Sequence, residues 1–543
     1  MKNIFKISAV LISIGTLSIL SSCNNDDFLD EKVYSQFTPE SLANKLGIES
    51  ALIGLYQMES TFYTKSDQQG WIGVWNVGTD ITWPTNPEGV EIPFYNYANL
   101  RADNSAAKTM WSYEYDIIEN ANSIIKSIES GAITDMTQTE LLQANAEAKF
   151  FRAKAYNMLT TLYGDVPLVT DPVKYPKLDF QRVPVAIVNA LIEVDLKFAI
   201  DNLPTANQRG NGVLQQRVSK FAAAHLAAEF YLRSNQPDKA EQACDLIINS
   251  GEFSLIQKRY GVHSALPGDP YSDMFIKGNQ RRSEGNTEAI WVLQNDNPVD
   301  VRGGSSGSPQ QRRVWGGSYH NINGMLPADS LGGRGLARIR LNNWVLYNLY
   351  PKPDMRNSKF SIHRQHYYNN PAPQFAAIYG KKVPVNTADT IANLAPYILK
   401  WGHFDPRDAF GFGMWKDFIL MRLGETYLFK AEAQFKQGKL AEAAQSINVL
   451  RTRANAPLVS ATDITLDFIL DERVRELIGE ENRRTTLMRT GTLITRATNI
   501  KYTQGTPAKM ATTGITEKNL LFPIPLTEIQ LNSGAKLEQN PGY

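Results

Sequence analysis

Cysteine is scarce in this chain: its 543 residues include only Cys23 and Cys244. Two cysteines cannot supply a framework of disulfide bonds, although the chain is long enough to bury a large core. Cys244 lies in the helical pattern AEQACDLII, where a small buried thiol is expected. An excess of one charge is also lacking, since 56 Lys and Arg balance 55 Asp and Glu. Without a wide basic patch, no nucleic-acid partner is expected.

Sequence signatures of catalysis are lacking as well. There is no GxSxG, Walker or GxGxxG motif, and the loop GGSSGSP has no lysine of the kind that a phosphate-binding loop needs. The six histidines are scattered, and His363 and His366 have no evident third partner for a metal ion. No spacing indicates the carboxylate pair of a glycosidase, and Glu480-Glu481 beside two arginines favours ion pairs. We therefore expect no enzyme, no cofactor and no metal.

Long apolar runs are absent except near the start of the chain. The run from 7 to 20 follows two lysines and is too short to cross a bilayer comfortably. It ends in Leu-Ser-Ser-Cys, which resembles a bacterial lipobox. This predicts a lipoprotein signal peptide over 1–22 and a lipidated N-terminus and tether over 23–38, with the lipid on Cys23. The acidic residues after Cys23 resemble the surface-export signal of Bacteroidota lipoproteins. An ordinary export signal with an incidental cysteine is the alternative.

Helical spacing of apolar residues dominates large parts of the chain. It predicts helices over 39–63, 103–130, 137–163, 183–202, 219–234 and 238–249. The stretches 221–249 and 423–455 are similar to 34-residue tetratricopeptide repeats, with small residues at the helix crossing and Gly438 at the turn of the second. The stretch 250–415 is irregular and rich in Gly, Pro, Asn and aromatic residues, which predicts a packed, loop-rich subdomain.

Five separate stretches carry a resemblance to one family. They are FLDEK, NAEAKFFRAKAYNMLTTLYGDVPLV, DFILMRLGETYLFKAEAQ, ILDERVRELIGEENRRTTLMRTG and LLFPIPLTEIQLNSGAKLEQNPGY. In this order they resemble the SusD/RagB family of Bacteroidota outer-membrane lipoproteins, over essentially the whole mature chain. The resemblance implies a mainly α fold, in which about four tetratricopeptide-like helix pairs form a scaffold with an inserted irregular, loop-rich α+β subdomain.

The resemblance also implies a single domain over 39–543. Its scaffold is expected mainly over 39–249 and 416–480, its ligand-binding insertion over 250–415 and its C-terminal segment over 481–543.

The function implied by the resemblance is the capture of an oligosaccharide at the cell surface, without cutting it. The protein would be anchored in the outer membrane by lipid and would deliver the ligand to a SusC-like TonB-dependent transporter. Aromatic rings stack on the apolar faces of sugars, and amide groups pair with hydroxyls, so loops rich in Asn, Trp and Tyr suit this task. Two alternatives stay open: peptide capture, as in the RagB-like branch, and a scaffold whose loops bind nothing.

The family's ligand site lies in loops that precede two recognisable helices. Here these loops precede WSYEYDIIENAN and LNNWVLYNLYPKPDMR. Stacking is expected of the aromatic residues, and hydroxyl pairing of the asparagines. The predicted site residues are Trp83, Asn86, Tyr95, Trp315, Tyr319 and Asn323. Packing in the local core is the alternative for each tryptophan, whereas Trp111 and Tyr115 lie on a helical stripe and are assigned to the core.

Overall fold

A computed structural model describes a large part of the chain. The described residues are 41–64, 75–85, 91–173, 175–210, 212–301, 309–386 and 389–543. The predicted signal peptide and the tether, with Cys23, lie outside them, as does the site residue Asn86. Among the described helices, none has the length and apolar character that crossing a bilayer requires.

Four long helices, packed one on the next in chain order, form the first part of the scaffold. They are α1 (Lys45–Thr64), α2 (Ser105–Glu129), α3 (Gln138–Tyr163) and α4 (Val185–Asn202). Apolar spacing predicts each of them, although α1 begins six residues later than expected because residues 41–44 form a turn. The helix α3 starts with a capping box at Thr137 and ends where Gly164 adopts a φ of 73°.

The next helix pair and the short helices of the insertion follow. The pair consists of α5 (Lys220–Arg233) and α6 (Pro237–Ile248), which pack on each other as a tetratricopeptide repeat does. Cys244 is fully buried on α6, as expected. The insertion contains the short helices α7 (Pro270–Asp273) and α8 (Gln311–Trp315).

The second repeat-like stretch returns the chain to the scaffold. Its helices are α9 (Leu423–Lys436) and α10 (Leu440–Arg453), and α11 (Leu466–Leu477) packs on α9. The helix α9 also packs along α6, so the two repeat-like pairs are neighbours despite the long insertion between them. The expected mainly α fold with helix pairs and an irregular insertion is confirmed; the proposed domain boundaries stay a prediction.

The C-terminal segment continues with short helices. They are α12 (Arg483–Arg489), α13 (Leu493–Thr498), α14 (Ile500–Thr503) and α15 (Leu526–Leu531).

Short strands pair two by two, all antiparallel. In chain order they are β1 (Thr82–Pro84), β2 (Val166–Pro167), β3 (Arg182–Val183), β4 (Ala289–Leu293), β5 (Ile339–Leu341), β6 (Ile362–His363), β7 (Tyr397–Ile398) and β8 (Phe418–Arg422). The pairs are β1 with β5, β2 with β3, β4 with β8 and β6 with β7. The pairing of β4 with β8 joins a strand of the insertion to the strand that leads into α9.

Buried ion pairs fix the segment before β1 to the C-terminal helices. Asp80, which lies just before β1, accepts hydrogen bonds from Arg483 at 2.7 Å and Arg496 at 2.6 Å. All three side chains are buried, and the two guanidinium groups lower the pKa of Asp80 to about 2 against the effect of burial. The expected ion pairs of Glu480 and Glu481 are also present, since Glu480 pairs with Arg422 and Glu481 with Arg473.

Candidate ligand-binding site

The two predicted site loops meet although more than two hundred residues separate them. In the β1–β5 pair, Trp83 lies opposite Arg340, and the Thr85 amide donates to the Arg338 carbonyl at 3.1 Å. The Leu336 amide in turn donates to the carbonyl of Arg313 at 2.9 Å, which places α8 beside the same strand. We call the segments 83–85, 312–320, 334–340 and 410–412 the loop cluster.

The predicted aromatic site residues are buried in this structure. Trp83 is 3% exposed, Tyr95 8%, Trp315 3% and Tyr319 0%. Stacking on a sugar needs exposed rings, whereas the structure covers all four. Asn323 is exposed, as a hydroxyl-pairing residue has to be. Contact of these residues with a ligand stays a prediction.

Local packing explains why these rings are covered. Trp315 and Tyr95 belong to a hydrophobic cluster with Ile339 of β5, and Trp83 lies with its ring 5.3 Å from the guanidinium carbon of Arg340. Tyr319 stacks on another tyrosine ring and donates its hydroxyl to the Gly333 carbonyl at 2.7 Å. A short loop that carries several large rings buries them to reduce their apolar contact with water.

Buried donors in the loop cluster remain without partners. Among the described residues, no acceptor lies within hydrogen-bond distance of the indole N–H of Trp83 or of Trp315. Buried polar groups in proteins are nearly always paired, so these two N–H groups are unusual. Both N–H groups are covered by the surrounding protein atoms.

Two phenylalanines that were not among the predicted site residues have exposed rings. Phe410 is 51% exposed and Phe412 is 54% exposed. The guanidinium carbon of Arg313 lies 4.3 Å from the centre of the Phe412 ring, and that of Arg334 lies 5.3 Å from it. Arg334 also donates to the Phe410 carbonyl at 2.6 Å. Rings beside guanidinium groups therefore form an open surface of the loop cluster.

The charge on this surface is positive. Burial and the neighbouring Arg334 lower the pKa of Arg313 to about 10, and burial lowers that of Arg312 to about 10 as well. Both groups stay charged at neutral pH. His320 accepts a hydrogen bond from Arg334 at 3.4 Å, and burial and that guanidinium lower its pKa to about 4, which keeps the ring neutral.

A large cleft adjoins the loop cluster. It has a volume of about 1440 Å³, and its lining includes Tyr367, Tyr379, Arg364 and His403. The two tyrosines are about half exposed, so the cleft also offers open rings. The His403 carbonyl accepts a hydrogen bond from Arg312 at 2.9 Å, which places the cleft directly behind the loop cluster. The cleft is therefore a second candidate place for a ligand.

Metal-binding side chains do not gather at either place. His363 and His366 lie with their rings 4.6 Å apart and pack near Tyr397. Across the residues that the structure describes, no group of three His, Cys, Asp or Glu side chains converges as a metal site requires.

Comparisons with known proteins agree with this architecture. Two family models match, one described as "SusD family" over 287–543 and one as "Starch-binding associating with outer membrane" over 27–232. SusD-like protein P25 of Formosa agariphila is 26% identical over 97% of each chain. The starch-binding protein SusD of Bacteroides thetaiotaomicron is 25% identical, over 81% of this chain and 79% of its own.

Solved structures share the fold. A laminarin-binding SusD-like protein matches 92% of this chain and all of its own, with a TM-score of 0.69 and 20% identity. Surface glycan-binding protein A from Bacteroides thetaiotaomicron, in complex with laminarihexaose, matches 92% of this chain and 99% of its own, with a TM-score of 0.70 and 18% identity.

Proposed function

Since this chain belongs to the SusD/RagB family, we propose that it is an outer-membrane lipoprotein that binds an oligosaccharide at the cell surface. Proteins of this family bind carbohydrate without catalysis, so the chain is not an enzyme. The relatives named above bind starch and laminarin, which supports a glycan as the ligand.

The observation that carries the proposal is the open pair of rings in the loop cluster. Phe410 and Phe412 expose about half of their surface beside the guanidinium groups of Arg313 and Arg334. A pyranose ring presents an apolar C–H face that stacks on a phenyl ring, and its hydroxyl groups accept hydrogen bonds from guanidinium N–H groups. The loop cluster therefore offers both kinds of contact that a sugar needs.

The residues predicted from the sequence keep a place in this proposal. Asn323, which is exposed, and Asn86 would pair with sugar hydroxyls. Trp83 and Trp315, which are buried, would support the surface from beneath.

Delivery to a transporter completes the proposal. A lipid on Cys23 would hold the protein at the outer membrane, and the bound oligosaccharide would pass to a SusC-like TonB-dependent transporter. The family description "associating with outer membrane" and the lipobox-like sequence before Cys23 support this arrangement.

Binding measurements with two matched double variants test the place of binding. An array that includes laminarihexaose and malto-oligosaccharides would first identify an oligosaccharide that binds. We expect Phe410→Ala with Phe412→Ala to weaken its binding at least about tenfold, because stacking contacts are worth about 1 kcal/mol or more each. The control, Tyr367→Ala with Tyr379→Ala in the cleft, removes two equally exposed rings and is expected to leave affinity unchanged.

If the Tyr367 and Tyr379 double variant weakens binding and the Phe410 and Phe412 double variant does not, the ligand binds in the cleft. Failure to bind any oligosaccharide, together with binding to peptides, would contradict glycan capture and support the peptide alternative.

A further inference from the structure

We infer that the loop cluster selects an anionic saccharide, one whose sugar units carry carboxylate or sulfate groups. The inference rests on the proposed function and adds the ligand class. It starts from three guanidinium groups, those of Arg312, Arg313 and Arg334. Within the described part of the chain, none of the three forms an ion pair with a carboxylate.

Several buried arginines elsewhere in the chain are paired with carboxylates. Arg356 pairs with Asp354 at 2.8 Å and with Glu472 at 2.8 Å. Arg422 pairs with Glu476 and Glu480, each at 2.6 Å. Burying a guanidinium group without an anion costs free energy, so the fold compensates its internal cations with acids. The loop cluster differs from these two sites, because it brings three arginines together without such pairs; a single buried arginine, Arg484, also donates to carbonyl and hydroxyl oxygens.

Carbonyl and amide oxygens take the place of carboxylates in the loop cluster. Arg312 is 3% exposed and donates to the His403 carbonyl at 2.9 Å and to the Gly411 carbonyl at 2.6 Å. Arg313 donates to the side-chain oxygen of Gln310. These neutral acceptors satisfy individual N–H groups but leave the positive charge uncompensated.

The acidic residues nearby do not neutralise the three arginines. Asp408 lies close enough to Arg312 to raise its pKa slightly against burial, but it is outside ion-pair distance. Asp300 and Asp405 are both paired with Arg407, each at 2.6 Å. Among the described residues, Asp408 is the acid whose charge acts on Arg312, and one carboxylate does not balance three guanidinium groups.

Several N–H donors of Arg313 and Arg334 are not used within the described part of the protein. Among the described residues, the Nη2 atoms of Arg313 and Arg334 have no hydrogen-bond acceptor, and the buried Nε atom of Arg313 has none either. A guanidinium fork matches the spacing of two oxygens in a carboxylate or sulfate group. Both guanidinium groups lie near the Phe412 ring, which is still about half exposed to a ligand.

Pairs of oligosaccharides that differ only in charge test this inference. One arm compares a uronic-acid oligosaccharide with its methyl ester, and the other compares a sulfated oligosaccharide with its desulfated form. We expect the anionic member of at least one pair to bind about tenfold tighter or more, and its affinity to fall as salt is added. The arm that shows the effect distinguishes carboxylate from sulfate.

Variants of two arginines provide the control. Arg313→Gln with Arg334→Gln is expected to abolish the preference for the anionic member, whereas Arg313→Lys with Arg334→Lys retains most of it because the charge remains. Thermal unfolding of both variants checks that the fold is intact. Arg407, an exposed arginine that is paired with two carboxylates, lies outside the loop cluster and serves as a second control. Arg407→Gln should leave the preference for the anionic oligosaccharide unchanged.

The inference is overturned if the protein binds the charged and the neutral oligosaccharide of each pair equally well. It is also overturned if Arg313→Gln with Arg334→Gln keeps the preference for the charged one. In both cases the proposal of glycan binding stands. Binding of no oligosaccharide in either arm or on the array overturns the proposed function, and the inference falls with it.

Discussion

Single arginine residues in this chain hold the fold together when carboxylates surround them. Arg356 is fully buried and pairs with Asp354 beside it in the chain and with Glu472 and Glu476 of α11. It therefore ties the insertion to the C-terminal helices. The segment LNNWVLYNLYPKPDMR and the stretch ILDERVRELIGEENRRTTLMRTG, which carries part of the family resemblance, are thus the two sides of one buried ion network.

Breaking this network is expected to cost much stability. Arg356→Met leaves the buried carboxylate of Asp354 without its cation and removes one of several cations from Glu472 and Glu476, so we expect the free energy of unfolding to fall by about 3–5 kcal/mol. Arg101→Met, which removes an exposed pair with Asp103, is expected to cost less than about 1 kcal/mol. Urea unfolding measures both, and equal losses would show that burial of the network is irrelevant.

A buried carboxyl group on α2 makes stability depend on pH. Glu114 is 1% exposed, and burial raises its pKa to about 8, although Lys154 counteracts this and Glu59 adds to it. The folded state therefore holds a proton that the unfolded state releases near pH 4.5. The resulting stabilisation is complete below about pH 4.5 and is lost progressively as the pH rises to about 8.

Glu114→Gln mimics the protonated form at every pH. We expect the stability of this variant relative to the natural protein to rise between pH 5 and pH 8, by up to about 1.4 kcal/mol per pH unit. Unfolding midpoints at several pH values measure this difference. A difference that stays constant with pH would show that Glu114 is already ionised in the fold.

Burial of single aromatic side chains could be predicted from the sequence on helices but not elsewhere. On a helix, a period of 3.6 residues separates the buried face from the exposed one, so Trp111 was correctly assigned to the core. Elements of three to five residues and loops are too short to show a period, so the sequence could not tell that Trp83 and Trp315 are buried while Phe410 and Phe412 are exposed. The ring content of the loops was predictable, but not which rings are open.

At the scale of elements, the long helices were predictable because each carries its own apolar stripe. The short strands were not, since strands of two to five residues exist only through partners distant in the sequence, such as Trp83 with Arg340. The hydrogen bonds between the segment 83–85 and the segment 334–340 of the loop cluster also join residues that are distant in the sequence. The sequence therefore located the two loops, whereas their mutual placement needed the structure.

The turn between α9 and α10 provides a test of the repeat-like helix pairs. Gly438 adopts a φ of 76°, and a Cβ atom built there meets no atom within 4 Å. Gly438→Ala should therefore lower the free energy of unfolding by about 1 kcal/mol through backbone strain alone. Gly438→Asn is the matched control with a smaller loss, because asparagine tolerates this conformation. Urea unfolding of both variants is the measurement, and a neutral alanine variant would contradict this explanation.

On the scale of the whole molecule, one large hydrophobic cluster fills the helical scaffold and smaller clusters lie under the insertion. The pairing of β4 with β8 and the buried ion pairs connect the two parts. The scaffold thereby holds the insertion, and with it the loop cluster, in a fixed position. A rigid support of this kind suits a protein that presents a ligand to a partner.

The proposed lipid anchor predicts where the protein is found in cells. Cys23→Ser removes the only sulfur available for lipid at the lipobox-like sequence, so we expect the protein to move from the membrane fraction to the soluble fraction. Cys244→Ala, which changes a buried thiol, is the control and should leave the protein with the membranes. Cell fractionation with immunoblotting measures this, and a Cys23→Ser protein that stays with the membranes would contradict lipid anchoring.

The most direct test of the account is a crystal structure of the protein with the oligosaccharide that binds most tightly on the array. The account predicts a sugar ring stacked on Phe410 or Phe412, with its oxygens within hydrogen-bond distance of Arg313 or Arg334. An oligosaccharide bound only in the cleft between Tyr367 and Tyr379, with the loop cluster empty, would contradict it.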